Sequence, residues 1–185
     1  MGVVQNERRL VATNSRWKVY FDHLSDERGN EVKDYLVIEG HNPRPDGLTG
    51  VDVLPVIGDR ILLLRVYRHP LRRSLWEVPR GFIDERETPA KAALRELEEE
   101  TGLQCAASDL IAMGTYAPEP STMAGRGALF VASRCEGNPR RPSDELGIDT
   151  FGLFGRQDIE AMIDAGEIVQ GGALILYYRY CAFNR

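Results

Sequence analysis

The sequence predicts an α/β protein in which helices cover a β-sheet. Strand-like and helix-like segments are mixed along most of the chain, which is typical of this class. Two apolar runs on either side of a turn at Gly58 and Asp59 have the character of buried strands. The 185 residues, 43% hydrophobic and 28% charged, suffice for one domain with a proper core.

Residues 1–47 differ in character from the rest, and we expect a small β extension there. Two segments have the composition of strands: residues 17–24 and 35–38. The polar segment 25–30 between them predicts a turn and therefore a β-hairpin. Because residues 42–47 are rich in proline, we interpret them as a linker to a second region, 48–185.

The second region contains the predicted sheet and its helices. Strands are predicted at residues 50–57, 60–67, 110–116, 128–133 and 148–154. Helices are predicted at residues 89–101, 158–165 and 173–183. Proline, arginine, glycine and aspartate predominate in residues 136–147, which predicts a loop.

The helix that follows Thr88 has clear start and stop signals. Thr88 supplies a hydroxyl N-cap and Pro89 occupies the first helical position. Gly102 supplies the stop, since glycine readily takes the left-handed conformation at a helix end. Four small or apolar residues recur at helical spacing and predict the core-facing side: Ala90, Ala93, Leu97 and Thr101.

Three carboxylates gather on a neighbouring face of this helix. Glu96, Glu99 and Glu100 stand at i, i+3 and i+4, where like charges repel and destabilise a helix. A bound cation would offset the repulsion, and carboxylate oxygens suit Mg²⁺ or Mn²⁺ better than zinc. A plain solvated face is the alternative. We expect Glu87 and Arg95 to pair, and Glu98 to face solvent.

Residues 81–103 follow a spaced pattern: glycine, five residues, glutamate, seven residues, then Arg-Glu-Leu-Glu-Glu-Glu-Thr-Gly-Leu. This pattern matches the Nudix signature, and the chain resembles the Nudix hydrolases, which cleave a nucleoside diphosphate linked to another group. The resemblance implies the Nudix fold, a mixed β-sheet sandwiched between helices. It also implies a divalent metal held by Glu96, Glu99, Glu100 and the Arg80 carbonyl, with Glu99 and Glu100 taking part in catalysis.

The segments before the spaced pattern indicate which group of Nudix hydrolases the chain resembles. Residues 64–68 and 76–81 are similar to motifs of the ADP-ribose and nucleoside-diphosphate-sugar pyrophosphatases, which release AMP and a sugar phosphate. The resemblance implies that Arg68 and Arg65 hold a phosphate, since the planar guanidinium suits bidentate contacts. The loop around Pro120 commonly lines the sugar side of the pocket in this group. The acidic residue that usually follows the proline within this loop is missing here, so the identity of the sugar is left open.

Three further residues have less specific signals. Trp17 either stacks on the base or belongs to the hairpin core. Glu77 is either a strand residue that packs or a substrate contact. For the general base we favour Glu145, in the loop 136–147, with Asp144 and Glu119 as alternatives. Glu145 is equally explained as an ordinary exposed loop acid.

Composition limits the partners. A net charge of −5 argues against broad nucleic-acid binding, and no apolar run of about 18 residues is present to span a membrane. Cys105, Cys135 and Cys181 are scattered, which indicates neither a zinc site nor a disulfide framework.

We expect a cytoplasmic enzyme that acts on a small nucleotide sugar. Because a hairpin is too small to be stable alone, and because related enzymes are dimers, we expect a homodimer.

Two alternatives to an ADP-ribose pyrophosphatase remain open. One is hydrolysis of another nucleoside diphosphate derivative, such as GDP-mannose or a dinucleoside polyphosphate. The other is a non-catalytic module that binds ADP-ribose as a regulatory ligand. The presence of all three glutamates argues against the module, because a pure sensor needs no metal-binding carboxylates.

Overall fold

The computed structural model describes residues 2–140 and 146–184. Its strands are β1 (Val3–Thr13), β2 (Trp17–Asp26), β3 (Glu31–Gly40), β4 (Leu48–Ile57), β5 (Arg60–Arg68), β6 (Arg73–Glu77), β7 (Arg80–Phe82), β8 (Leu110–Tyr116), β9 (Met123–Ala124), β10 (Arg126–Ala132) and β11 (Ile148–Phe154). Its helices are α1 (Pro89–Thr101), α2 (Arg156–Asp164) and α3 (Gly171–Phe183). None of the described helices is long and apolar enough to cross a membrane.

The chain divides into two compact units. The first comprises residues 1–49 and 117–126, and the second comprises residues 50–116 and 127–185. The division falls within β4, directly after Thr49. The loop that contains Pro120 therefore belongs to the first unit, together with the N-terminal strands.

The first unit is a four-stranded sheet in the order β1-β2-β3-β9. Its β2–β3 pair is antiparallel, which confirms the predicted hairpin. The sequence analysis did not predict β1, which pairs antiparallel with β2 along the edge of this sheet. Almost all of β1 is exposed on both faces, so it lacks the alternation of apolar and polar residues that marks a half-buried strand.

The second unit contains a sheet in the order β11-β5-β4-β10-β8, with β6 paired to β5 and β7 paired to β4. Strands β4, β5 and β10 supply half of the buried apolar side chains of the described residues. In the register of β4 and β7, Asp52 lies opposite Arg80 and Val51 lies opposite Gly81. The Gly81 face carries α1, whereas the Asp52 side chain contacts Gln170, directly before α3. Because successive residues point to opposite faces, helices cover both faces of the sheet, as predicted.

The predicted helix signals are confirmed at α1, with one correction at its core face. Thr88 Oγ1 accepts the Lys91 N–H at 3.3 Å, and Gly102 ends the helix with a φ of 73°. Ala93, Leu97 and Thr101 are buried as expected. Ala90 is exposed, because the buried stripe in the first turns runs through Ala92 instead.

The last two helices begin earlier than the sequence predicted. Helix α2 starts at Arg156, where the Gly155 N–H donates to Asp158 Oδ2 at 2.9 Å. Helix α3 starts at Gly171, because the Gln170 side chain caps it by accepting the Ala173 N–H at 2.5 Å. In both cases a polar side chain accepts a main-chain N–H at the helix start, that of the N-cap in α2 and that of the first turn in α3, so helical geometry extends beyond the apolar repeat.

Candidate active site

Two of the three predicted metal-binding carboxylates are buried side by side on α1. Glu96 and Glu100 are 8% and 4% exposed, and they lie one helical turn apart. Glu100 Oε2 accepts the main-chain N–H of Arg80 at 2.9 Å, so the end of the Glu100 side chain is held against β7. Glu99 differs, because its side chain is 58% exposed.

Gly81 makes room for one of these carboxylates. A Cβ atom placed on Gly81 would overlap the Glu96 carboxylate, so any side chain here would displace it. Gly81 does not have a positive φ, which means that glycine is required here for space rather than for backbone conformation. The glycine of the spaced motif therefore shapes a cradle for a carboxylate.

Arg95 connects the acidic residues around the start and middle of α1. Its guanidinium donates to both oxygens of Glu87 at 3.1 and 3.0 Å, which confirms the predicted pair. It also donates to Glu96 Oε1 at 2.7 Å, to Glu99 Oε2 at 2.9 Å and to the Phe82 carbonyl at 2.9 Å. Hydrogen bonds to Glu87 above all raise the pKa of Arg95 above its ordinary value. One arginine thus connects three of the motif glutamates, Glu87, Glu96 and Glu99.

The donor set fits a hard cation in chemistry, although the described side chains do not yet converge on one point. No group of three or more His, Cys, Asp or Glu side chains is close enough to hold a metal within residues 2–140 and 146–184. Glu96 and Glu100 are nevertheless buried together, one beside the Gly81 cradle and one against the Arg80 backbone. Oxygen donors of this kind suit Mg²⁺ and Mn²⁺.

Arg68 and Arg65, predicted as phosphate ligands, are each anchored to a neighbour on β6. Arg68 donates to both oxygens of Glu77 at 2.7 and 2.5 Å, and Glu77 is only 2% exposed. The Arg65 guanidinium carbon lies 5.5 Å from the centre of the Trp76 ring, in cation–π geometry. Glu77 therefore contacts Arg68 directly and orients it, while the Arg68 side chain stays 39% exposed.

A buried polar cluster on the opposite face of the sheet escaped the sequence analysis. Asp52, 2% exposed, accepts the Tyr116 hydroxyl at 2.9 Å and the Gln170 amide at 3.0 Å. Arg80 Nε lies 3.8 Å from Asp52 Oδ1. Burial raises the pKa of the Asp52 carboxyl, an effect that Arg80, Tyr116 and Gln170 oppose. The one available signal was an acid inside the apolar run 50–57.

The remaining predicted residues lie elsewhere. Trp17 and Pro120 belong to the first unit, and the acidic helix belongs to the second. Glu119, an alternative base, accepts the Ser121 main-chain N–H at 3.2 Å and also its hydroxyl, and these bonds lower the pKa of Glu119. Glu145 and Asp144 lie outside the described residues, so their roles stay predictions.

Two curated relatives are similar to part of this chain. An ADP-ribose pyrophosphatase of Mycobacterium tuberculosis is 34% identical over 109 residues, which is 58% of this chain and 52% of that protein. An ADP-ribose pyrophosphatase of Bacillus subtilis is 45% identical over 53 residues, covering 28% of this chain and 29% of that protein. The matched region thus spans about half of these relatives or less.

A solved structure supports the fold. The crystal structure of an ADP compounds hydrolase superposes with a TM-score of 0.81 over 99% of this chain and 94% of its own, at 17% identity. At that identity the likeness establishes the shared fold alone. The family model described as NUDIX domain matches residues 48–169, more than half of the chain. That region includes the Gly81 cradle, the Glu87–Arg95 pair and the buried carboxylates of α1, and the chain belongs to the NUDIX domain family.

Proposed function

We propose that this chain hydrolyses the phosphoanhydride bond of ADP-ribose or a related nucleoside diphosphate sugar, giving a nucleoside monophosphate and a sugar phosphate. The observation that carries the proposal is the burial of Glu96 and Glu100 together beside Gly81 and the Arg80 backbone. Arg95 is shared among Glu87, Glu96 and Glu99, so it offsets only part of this charge, and a bound cation would lower the cost of burying two adjacent carboxylates. The likeness to two ADP-ribose pyrophosphatases supports this substrate class.

Nudix hydrolases generally depend on a divalent metal, and we propose Mg²⁺, with Mn²⁺ as a substitute. Glu96, Glu99, Glu100 and the Arg80 carbonyl would hold it. When bound, the ion neutralises charge on the phosphoryl oxygens and acidifies a water molecule. Arg95 contributes by holding Glu96 and Glu99 near each other through Nη1.

The other residues of the chain position the substrate. Arg68, oriented by the bidentate contact with Glu77, offers its exposed edge to a phosphate, and Arg65 on Trp76 acts beside it. Trp17, as a contact of the base, and the Pro120 loop, as the border of the sugar, belong to the first unit and stay predictions from the sequence. A base then removes a proton from the attacking water, for which Glu145 is our choice. Besides the base, we propose that the carboxylates of Glu99 and Glu100 take part in catalysis.

The substrate class is tested by a panel. The protein is incubated with Mg²⁺ and ADP-ribose, GDP-mannose or a dinucleoside polyphosphate, and phosphate is measured after a phosphomonoesterase is added. We expect ADP-ribose to be cleaved fastest and EDTA to abolish the reaction. Cleavage of GDP-mannose alone would change the substrate class, and no cleavage with either Mg²⁺ or Mn²⁺ would contradict the proposed function.

We also propose a homodimer formed through the N-terminal sheet. Strand β1 lies at the edge of that sheet, and exposed edges readily pair with another chain. The first unit also exposes several large apolar side chains on its strands, namely Val3, Val4, Leu10, Val32 and Leu36. A second copy that covers these side chains would remove them from water.

A further inference from the structure

The Arg80 side chain stands apart from the role proposed for its main chain. Its N–H holds Glu100, and its carbonyl is a proposed metal ligand, whereas its guanidinium lies on the opposite face of the sheet beside Asp52. The Arg80 side chain is 40% exposed. Within the described residues no side chain accepts a hydrogen bond from this guanidinium, because Asp52 Oδ1 at 3.8 Å is too far for one.

Asp52 is held in place more firmly than an ordinary ion-pair partner. Tyr116 bonds one carboxylate oxygen and Gln170 bonds the other. A Cβ atom on Gly172 would lie 2.7 Å from both Asp52 Oδ1 and the Tyr116 hydroxyl, and one on Gly127 would overlap the Tyr116 ring. Neither glycine has a positive φ, so these two positions are small because the cluster needs the space.

The arrangement around Arg80 parallels that around Arg68. In each case a buried carboxylate, 2% exposed, faces an arginine whose side chain is about two-fifths exposed, at 40% and 39% respectively. An arginine whose planar guanidinium is oriented by a buried carboxylate in this way suits a phosphate group.

We propose that the Arg80 guanidinium binds the diphosphate of the substrate and that Asp52 is its positioning residue. This inference rests on the proposed function for the substrate class. The guanidinium and the N–H that holds Glu100 belong to one residue, so they are separated by no more than one arginine side chain. A ligand that reaches both the carboxylates and this guanidinium therefore needs closely spaced anionic groups, as in a nucleoside diphosphate.

The test compares Arg80→Met with Arg60→Met, which removes the same charge from an exposed position at the start of β5. Calorimetry measures the Kd of a non-hydrolysable α,β-methylene analogue of ADP-ribose, and separately the Kd of Mn²⁺. Arg80→Met should weaken analogue binding by about 10- to 100-fold, the size of one hydrogen bond to a charged group. Mn²⁺ binding should stay within about twofold, because the main chain at residue 80 is retained.

Asp52→Asn separates positioning from a merely structural role. It should weaken analogue binding in the wild-type background and cause no further loss in the Arg80→Met background, since coupled residues are not additive. Arg80→Lys, which keeps the charge without the planar fork, should give an intermediate Kd and serves if Arg80→Met does not fold. A structural role alone would lower the melting temperature and leave the Kd of the analogue unchanged.

The outcomes for this inference and for the proposed function are distinct. Analogue binding by Arg80→Met within about twofold of wild type, or additive losses in the double variant, would overturn the role of Arg80. Failure of the wild-type protein to bind the analogue would overturn it as well. Analogue binding that depends on Arg80, without hydrolysis of any substrate in the panel, would sustain the inference and contradict the hydrolase.

Discussion

Glu100→Gln tests the proposed metal site most directly. Glutamine keeps an oxygen that can accept the Arg80 N–H, so the contact between α1 and β7 survives while the negative charge is lost. Glu100 is 4% exposed, and removing a charge from this crowded face should slightly stabilise the metal-free protein. Turnover should fall by about a thousandfold or more, because metal assistance is worth several kcal/mol in the transition state.

Thermal melts measure the metal site independently of turnover. Mg²⁺ at about 100 times its Kd should stabilise the wild-type protein by about 2.7 kcal/mol. For a chain of this size that corresponds to a rise in Tm of roughly 5–10 °C. Glu100→Gln should lose most of this rise while it melts normally without metal.

Glu98→Gln is the matched control on the same helix. It removes the same charge from an exposed side chain whose partner is the Gln104 amide at 2.9 Å. We expect it to retain both turnover and the Tm rise caused by Mg²⁺. If Glu100→Gln kept near-normal turnover and the full Tm rise, the assignment of a metal to this face of α1 would be wrong.

Three further predictions concern the cradle, the base and the assembly. Gly81→Ala should displace the Glu96 carboxylate and weaken Mn²⁺ binding by calorimetry, whereas Gly171→Ala, with open space around its Cβ position, should bind Mn²⁺ normally. Glu145→Gln should lower kcat by about 10²–10⁴-fold with little change in KM. If that variant keeps near wild-type kcat while Glu99→Gln or Glu119→Gln loses it, the general base is not Glu145 and lies in α1 or in the Pro120 loop. Light scattering should report a dimer mass at micromolar concentration, and a monomer mass would refute the homodimer.

Much of the second unit could be predicted because its signals are local. The strands β8 and β11 have the predicted bounds, since each is a short apolar run between turn residues. Strands β6 and β7 were not predicted as elements, although Trp76 and Glu77 were weighed as strand residues. They are short segments of five and three residues, too short to show a clear alternation of apolar and polar residues, and β7 in addition pairs with β4, which lies far away in sequence.

In the candidate site, too, the features that depend on neighbouring residues could be predicted, whereas those that depend on distant strands could not. The sequence by itself determined the caps of α1 and the placement of its acidic residues, because positions on one helix follow from spacing alone, and it predicted the pair of Glu87 and Arg95, which joins the helix to the loop directly before it. Which acids are buried was not determined by spacing, since that depends on the strand that approaches the helix. Glu96 and Glu100 are buried against β7 whereas Glu99 stays exposed.

Only the tertiary structure decided the partners of the arginines. Asp52 meets Tyr116 and Gln170, which are 64 and 118 residues away in sequence, and these contacts exist only in the register of the folded sheet. A shift of one residue would turn Asp52 to the other face and separate it from Arg80. Helical spacing therefore set the chemistry of the metal site, and sheet register set which carboxylate faces the side chain of Arg80.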